Sequence, residues 1–395
     1  MRSLIVALTL SVFTLSVQAA PQAEIEAFVD RLKSGDLDAN VLLYPSADRR
    51  VAFAHTDVWM PTRPLFPSAT PYALETNIDE SLSAVIYTVD GETFTVADLL
   101  GREPLMGMAV VDGNTIKLEH YAGDHGPESV WISFSVTKSF TSTLIGAAIK
   151  DGFINSVDDK VEDYLPRLKG TDYGRVTLKN ILQMSSGIAW NEDYTDPESD
   201  VSVAGLLQGV ALTDYLSKLS QKYKPGTVFN YNTAESNLLG EVLRAAIGNS
   251  ATDYMNAKIW QGFGMEHAAN WLQSAHFAGE AGGCCISASI RDYARLGIFV
   301  KNGGVDASGE SILPENWMRD ATAPSKGFEG YGYKWWLQGD SAFMAAGIFG
   351  QYIYIDPKND VVISVHSNAP AAVDTNYHAH VDAAMAAIAA SFANR

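Results

Sequence analysis

The stretch Ser133-Phe134-Ser135-Val136-Thr137-Lys138, running on from Ser139 to Lys150, constrains the fold more than any other part of the chain. From Ser133 to Ile149 it carries one charged residue, Lys138. Leu144, Ile145, Ala148 and Ile149 continue an apolar stripe at helical spacing, which predicts a helix anchored in a core. Residues three apart share one helix face, so Ser135 and Lys138 lie side by side on its first turn. A serine hydroxyl is a poor nucleophile until a neighbour takes its proton. A lysine in an apolar cleft has its charged form disfavoured, which lowers its pKa and lets it serve as a base. The helix N-terminus adds unpaired N–H groups that can hold a developing oxyanion. The plain alternative is an N-cap serine followed by a solvated lysine, and these residues alone leave both readings open.

The chain's 395 residues, 47% hydrophobic and 19% charged, are enough for a large core and two subdomains. A formal net charge of −18 argues against nucleic acid as a partner, since nothing offsets phosphate repulsion. Met1 to Ala19 reads as a secretory signal: Arg2 is the charged start, Leu4 to Val17 the short apolar run, and Val17-Gln18-Ala19 the cleavage site. The mature protein is expected to be secreted or periplasmic. No later stretch is long and apolar enough to span a bilayer. The two cysteines, Cys284 and Cys285, are adjacent. They are expected to be buried thiols, because a bridge between neighbours demands a distorted backbone. With no third sulfur or nearby histidine they do not read as a zinc site.

Leu105–Val111 and Thr115–Tyr121 read as strands around the Asp112-Gly113-Asn114 turn. Thr177 reads as the N-cap of a short helix ending at Gly187. Leu206–Leu219, Ser236–Ala246 and Ser289–Lys301 have helical pattern. Tyr331–Leu337, Tyr352–Ile355 and Val361–His366 read as strands, and Ala371–Phe392 as a C-terminal helix. Strands thus flank a mostly helical middle. The expected fold is α+β: an antiparallel sheet built from both ends of the chain, carrying helices on its faces, with a helical subdomain inserted. We expect one catalytic domain over 20–395, its α/β part at roughly 50–150 and 285–395 and its helical part at roughly 151–284. The site would lie in the cleft between them.

Three motifs in this order resemble the serine β-lactamase and penicillin-binding-protein superfamily. Ser135-Val136-Thr137-Lys138 matches its S-x-x-K. Tyr231-Asn232-Thr233, after Lys224-Pro225-Gly226-Thr227, resembles the tyrosine motif of the class C branch. Ala345-Ala346-Gly347 resembles the third motif. Within this branch, Ala52-Phe53-Ala54-His55, Asn191 to Pro197, Lys334-Trp335-Trp336 and Gly347 to Gln351 are similar to the 6-aminohexanoate-dimer (nylon oligomer) hydrolases. The resemblance implies that Ser135 is the acylated nucleophile, Lys138 its base, and Tyr231 the relay to the leaving group. It implies an oxyanion hole from the N–H groups of Ser135 and Ile348, and a loop tyrosine, Tyr194, that closes over substrate. No metal or cofactor is implied.

Two positions depart from that pattern. Ala345 stands where the third motif usually has Lys or His to hold a substrate carboxylate, and Thr233 stands where Asn or Ser is more usual. The loop after Asp200 shows no carboxylate placed to hold a substrate ammonium. Gly347 is expected to let its strand approach the substrate closely, and Trp335 and Trp336 to supply core and pocket wall. A tyrosine beside a cationic lysine has its phenolate favoured, so Tyr231 is expected to shuttle protons near neutral pH. His378 and His380 are expected at the surface. The leading reading is an exported serine hydrolase acting through an acyl-enzyme on a small ester or amide. The alternatives are a D,D-peptidase or β-lactamase, and a binding module that keeps the fold.

Overall fold

In the computed structural model, residues 22–37, 40–275 and 278–393 are described. The expected leader, Met1–Ala19, lies outside them. The framework is a seven-stranded sheet, in spatial order Trp336–Gln338, Ala342–Gly347, Gln351–Asp356, Val361–Ser367, Leu105–Asp112, Thr115–Tyr121 and Glu75–Thr76. Neighbours are antiparallel, and only the short edge strand Glu75–Thr76 runs parallel to its partner. The two halves of the chain meet in its middle, where Val361 pairs with Asp112 and Val365 with Met108.

Both faces of this sheet are covered. Successive strand side chains point to opposite faces, so Ile353, Ile355 and Val362 enter one core while Tyr352, Tyr354, Val361 and Ile363 enter another. The first core includes the helix that follows Ser135 (the candidate nucleophile helix), Val136–Lys150, and the helices Thr233–Ile247 and Ile290–Lys301. The second includes the helices Gln22–Ser34, Ser46–Ala54 and Thr375–Ser391. The Ile290–Lys301 helix lies so close to the sheet that a Cβ on Gly297 would come within 2.5 Å of Val362. A smaller four-stranded sheet, Thr62–Leu65, Ala269–Leu272, Ile286–Ser289 and Val130–Ile132, runs up to the start of the nucleophile helix.

Several local expectations are corrected. The strand expected over Tyr331–Leu337 begins at Trp336, because Lys334 has φ +62° and breaks the extended run. Leu206–Leu219 narrows to Gly209–Leu216, with a separate short helix at Asp200–Ala204. Cys284 and Cys285 are joined to each other rather than left as thiols; the peptide between them is cis, which turns both sulfurs to one side. His380 is buried, not at the surface: its ring packs edge-on against Phe94 and meets the Arg102 guanidinium at 2.8 Å. Among the described residues no helix is long and apolar enough to cross a membrane.

Candidate active site

The chain turns from the small sheet into the nucleophile helix through Ser133-Phe134-Ser135. Phe134 holds φ +45°, a region that a bulky residue enters only when its surroundings fix it. Here its ring packs against Phe53 and Phe349, at 4.9 and 5.4 Å between centroids. Ser133 and Thr137 clamp the turn from below: their hydroxyls meet at 2.7 Å, and both accept from the Ile286 N–H. Ser135 therefore stands at the head of the helix in a fixed pose. Ser135 occupies the N-cap position, but its side chain makes no capping hydrogen bond there.

Lys138 is buried, which disposes of the solvated alternative. Its Nζ lies 2.8 Å from Ser135 Oγ and donates to the Gly283 carbonyl at 2.7 Å. Burial brings its pKa down to about 8, and the Glu192 carboxylate pulls the other way. The Tyr231 ring lies under the same ammonium, 5.3 Å from Nζ to centroid, and Ser135 is the neighbour that favours ionisation of its hydroxyl. Tyr231 immediately precedes the Thr233–Ile247 helix, which Asn232 caps by accepting from the Glu235 N–H. Trp336 stacks on the Tyr231 ring at 5.8 Å and 17°. The expected phenolate is not favoured. Burial raises the phenol's pKa, and Ser135 only partly opposes this. Tyr231 thus keeps its proton at neutral pH.

Gly347 ends its strand against the nucleophile turn. A Cβ there would lie 2.4 Å from the Ser133 carbonyl oxygen and 3.1 Å from the Ser135 nitrogen, so no larger residue fits. Ile348 follows, on the wall of the same cavity as Ser135. The turn it opens is held from behind by Phe349, whose N–H donates to the Ala372 carbonyl and whose ring lies under the Arg49 guanidinium at 4.8 Å. Arg49 itself donates to the carbonyls of Tyr44 and Ala369.

Ser135, Lys138, Thr233, Tyr194 and Ile348 line one cavity of about 400 Å³. Trp335 does not: it is fully buried between Phe140 and Phe343, and its neighbour Trp336 is the one that reaches the site. A larger cleft of about 970 Å³ lies elsewhere, against the ion pairs Arg31–Asp48 and Arg50–Asp124, and Ser135 is not on its walls.

Sequence reasoning missed two contributors. Glu192 accepts hydrogen bonds from the Trp190 indole, the Tyr194 hydroxyl at 2.9 Å, the Thr233 N–H at 2.9 Å and the Thr233 hydroxyl. It ties the 190–200 loop to the tyrosine motif and explains the threonine at 233, whose hydroxyl it holds. The second is the lead-in at 40–60, which supplies Val41, Leu42, Trp59 and Met60 to the cavity wall. A buried inner pair was also unforeseen. Burial pushes Lys334 down to about 7 and Glu235 up to about 7, each opposed by the other's charge.

The beta-lactamase family profile matches residues 95–387, which takes in all three motifs. The chain belongs to the beta-lactamase family, and it is a serine hydrolase of that family. It is similar to the 6-aminohexanoate-dimer hydrolase of Paenarthrobacter ureafaciens, with 27% identity over 293 residues, covering 68% of this chain and 74% of that protein. A solved structure named for the same activity, from Bacillus anthracis, superposes with a TM-score of 0.77 at 22% identity, covering 90% of this chain and 95% of the other. A class C beta-lactamase from Rhodobacter sphaeroides shares the fold at a TM-score of 0.53 and 17% identity, over 73% of this chain and 95% of the other.

Proposed function

We propose that this family member is an exported esterase or amidase that turns over a small substrate through an acyl-enzyme on Ser135. The observation that carries the reading is the 2.8 Å contact between Lys138 Nζ and Ser135 Oγ on the wall of a largely apolar cavity. Lys138 in its neutral form takes the Ser135 proton as Oγ bonds to the substrate carbonyl carbon. The carbonyl electrons move onto oxygen, which the N–H groups of Ser135 and Ile348 hold. The tetrahedral adduct then collapses, the bond to the alcohol or amine breaks, and Tyr231 supplies the proton that group needs. Lys138 restores the tyrosine's proton. Water repeats the sequence to release the acid and free the serine. Export follows from the expected leader at Met1–Ala19, and the amide option from the activity for which the Paenarthrobacter relative is named.

The test is a panel of short-chain p-nitrophenyl esters run beside nitrocefin, on the parent protein and on Ser135→Ala. Ester turnover that disappears in Ser135→Ala, with little nitrocefin hydrolysis, supports the reading. Turnover unchanged in that variant sinks it. Fast, Ser135-dependent nitrocefin hydrolysis transfers the assignment to β-lactams, against which Ala345 argues because it offers no cation for a substrate carboxylate.

A further inference from the structure

The cavity beside Ser135 has a chemical character that the relatives' names do not convey. One side is built by Val41, Leu42, Trp59 and Met60 from the lead-in, and another by Val203 and Leu206, at and just beyond the Asp200–Ala204 helix. Among the described residues neither Asp, Glu nor Arg lines it, and the one charged side chain on its walls is Lys138. That amine is already engaged by Ser135 Oγ and the Gly283 carbonyl. A carboxylate or ammonium held against the Val41, Leu42, Trp59, Met60, Val203 and Leu206 walls would lose water without gaining an ionic partner on them, which is unfavourable. Val203 and Leu206 are 54% and 41% exposed, so apolar surface continues outward from the cavity to its mouth. Tyr231, the donor to the leaving group, is absent from the walls, whereas Ser135 and Ile348 are on them. The cavity is therefore on the acyl side of the scissile bond.

Resting on the acyl-enzyme reading above, we infer that the acyl part of the substrate is an uncharged aliphatic chain, seated between the 40–60 lead-in and the Val203–Leu206 segment. The ends of that chain carry no ionised group. The chemistry separates this substrate from 6-aminohexanoyl compounds, whose acyl chain ends in an amine.

The experiment measures kcat/KM for p-nitrophenyl acetate, butanoate, hexanoate and octanoate, and for the 6-aminohexanoate and the adipate half-ester, on the full mature chain. The expected result is a rise of about fourfold per methylene until the cavity is full, and a fall of more than about a hundredfold when hexanoate gains a terminal ammonium or carboxylate. Val203→Asp should cut the octanoate-to-acetate ratio at least about tenfold. A flat or falling length series, or a charged chain end handled as well as a neutral one, overturns the inference while leaving the hydrolase reading intact. Alkyl fluorophosphonates of the same chain lengths, with the Ser135 adduct read by mass, give the same ranking without requiring turnover. Absence of both turnover and adduct across every member overturns the hydrolase reading, and the acyl assignment falls with it.

Discussion

Glu192→Gln separates the electrostatic role of this carboxylate from its structural one. The carboxylate accepts four hydrogen bonds, two on each oxygen: Tyr194 and Thr233 hydroxyls on Oε1, the Trp190 indole and the Thr233 N–H on Oε2. A glutamine can face its oxygen to the indole and the backbone N–H, which only donate. Its NH2 then faces the two hydroxyls, which can turn and accept. All four contacts survive, each reduced from charge-assisted to neutral. At about 0.5–1 kcal/mol lost per contact, stability falls by about 2–4 kcal/mol, read as a lower urea midpoint. The second effect falls on Lys138. Glu192 holds the lysine's charge on, against burial. Without it the Lys138 pKa moves further below about 8. The neutral amine is the active base, so the acid limb of kcat/KM shifts to lower pH. Stopped assays on p-nitrophenyl butanoate across pH 5–10, with Ser135→Ala as blank, measure the limb. A limb that moves upward or stays in place refutes the argument that Glu192 acts on Lys138. Glu192→Ala should cost more stability than Glu192→Gln, since it strands the indole and backbone donors.

In the parent protein, kcat/KM should rise as pH increases through about 8, because Lys138 is protonated and unable to accept a proton below that value; a plateau already reached at pH 6 would contradict this. Gly347→Ala should leave the far-UV spectrum unchanged and lower kcat by about 100–1,000-fold, since its Cβ displaces the backbone beside the Ser135 nitrogen. Trp335→Ala should destabilise by about 3–5 kcal/mol as a core truncation. Trp336→Ala should cost about 0.5–1.5 kcal/mol for the lost stack on Tyr231 and act instead on kcat. Urea melts and steady-state kinetics on the pair distinguish the two tryptophans.

Residues whose role is set within one element were legible in the chain. Ser135 and Lys138 sit one turn apart on a helix announced by its own apolar stripe, and the hairpin at Asp112-Gly113-Asn114 declares both of its strands. Glu192 was not legible, because its role depends on Thr233, 41 positions away. The wall at 40–60 was hidden for the same reason: a loop-rich lead-in has no periodicity to say which surface it will cover. The tryptophan assignment turned on phase. Trp335 and Trp336 sit beyond a left-handed residue, Lys334, and strand alternation does not carry across such a break. Tyr231 lies beside Lys138 as expected but keeps its proton more firmly than expected. Its neighbours in sequence reveal the lysine nearby but not the depth of burial, and burial dominates.

The alanine of the third motif follows from what surrounds it. Ala345 is fully buried and shares its core with Phe140, Trp335 and Ile353. Two amines already lie in that part of the molecule. Lys138 reaches Ser135, while Lys334 places its Nζ 2.9 Å from the Met184 sulfur and its carbonyl 2.6 Å from the Ser139 hydroxyl, one residue beyond Lys138. The charge on Lys138 disfavours that on Lys334. A lysine at 345 would add a third ammonium to a region that desolvates two, at several kcal/mol per ion. Of the two carboxyls that favour the charge on Lys334, Glu235 and Glu192, the first is itself pushed toward the neutral form by burial. The buried Lys334 and a third-motif cation would thus compete for the same limited counter-charge. Ala345 offers no cation to a substrate carboxylate, and under the proposed function recognition passes to the apolar wall built by the lead-in and the Val203–Leu206 segment.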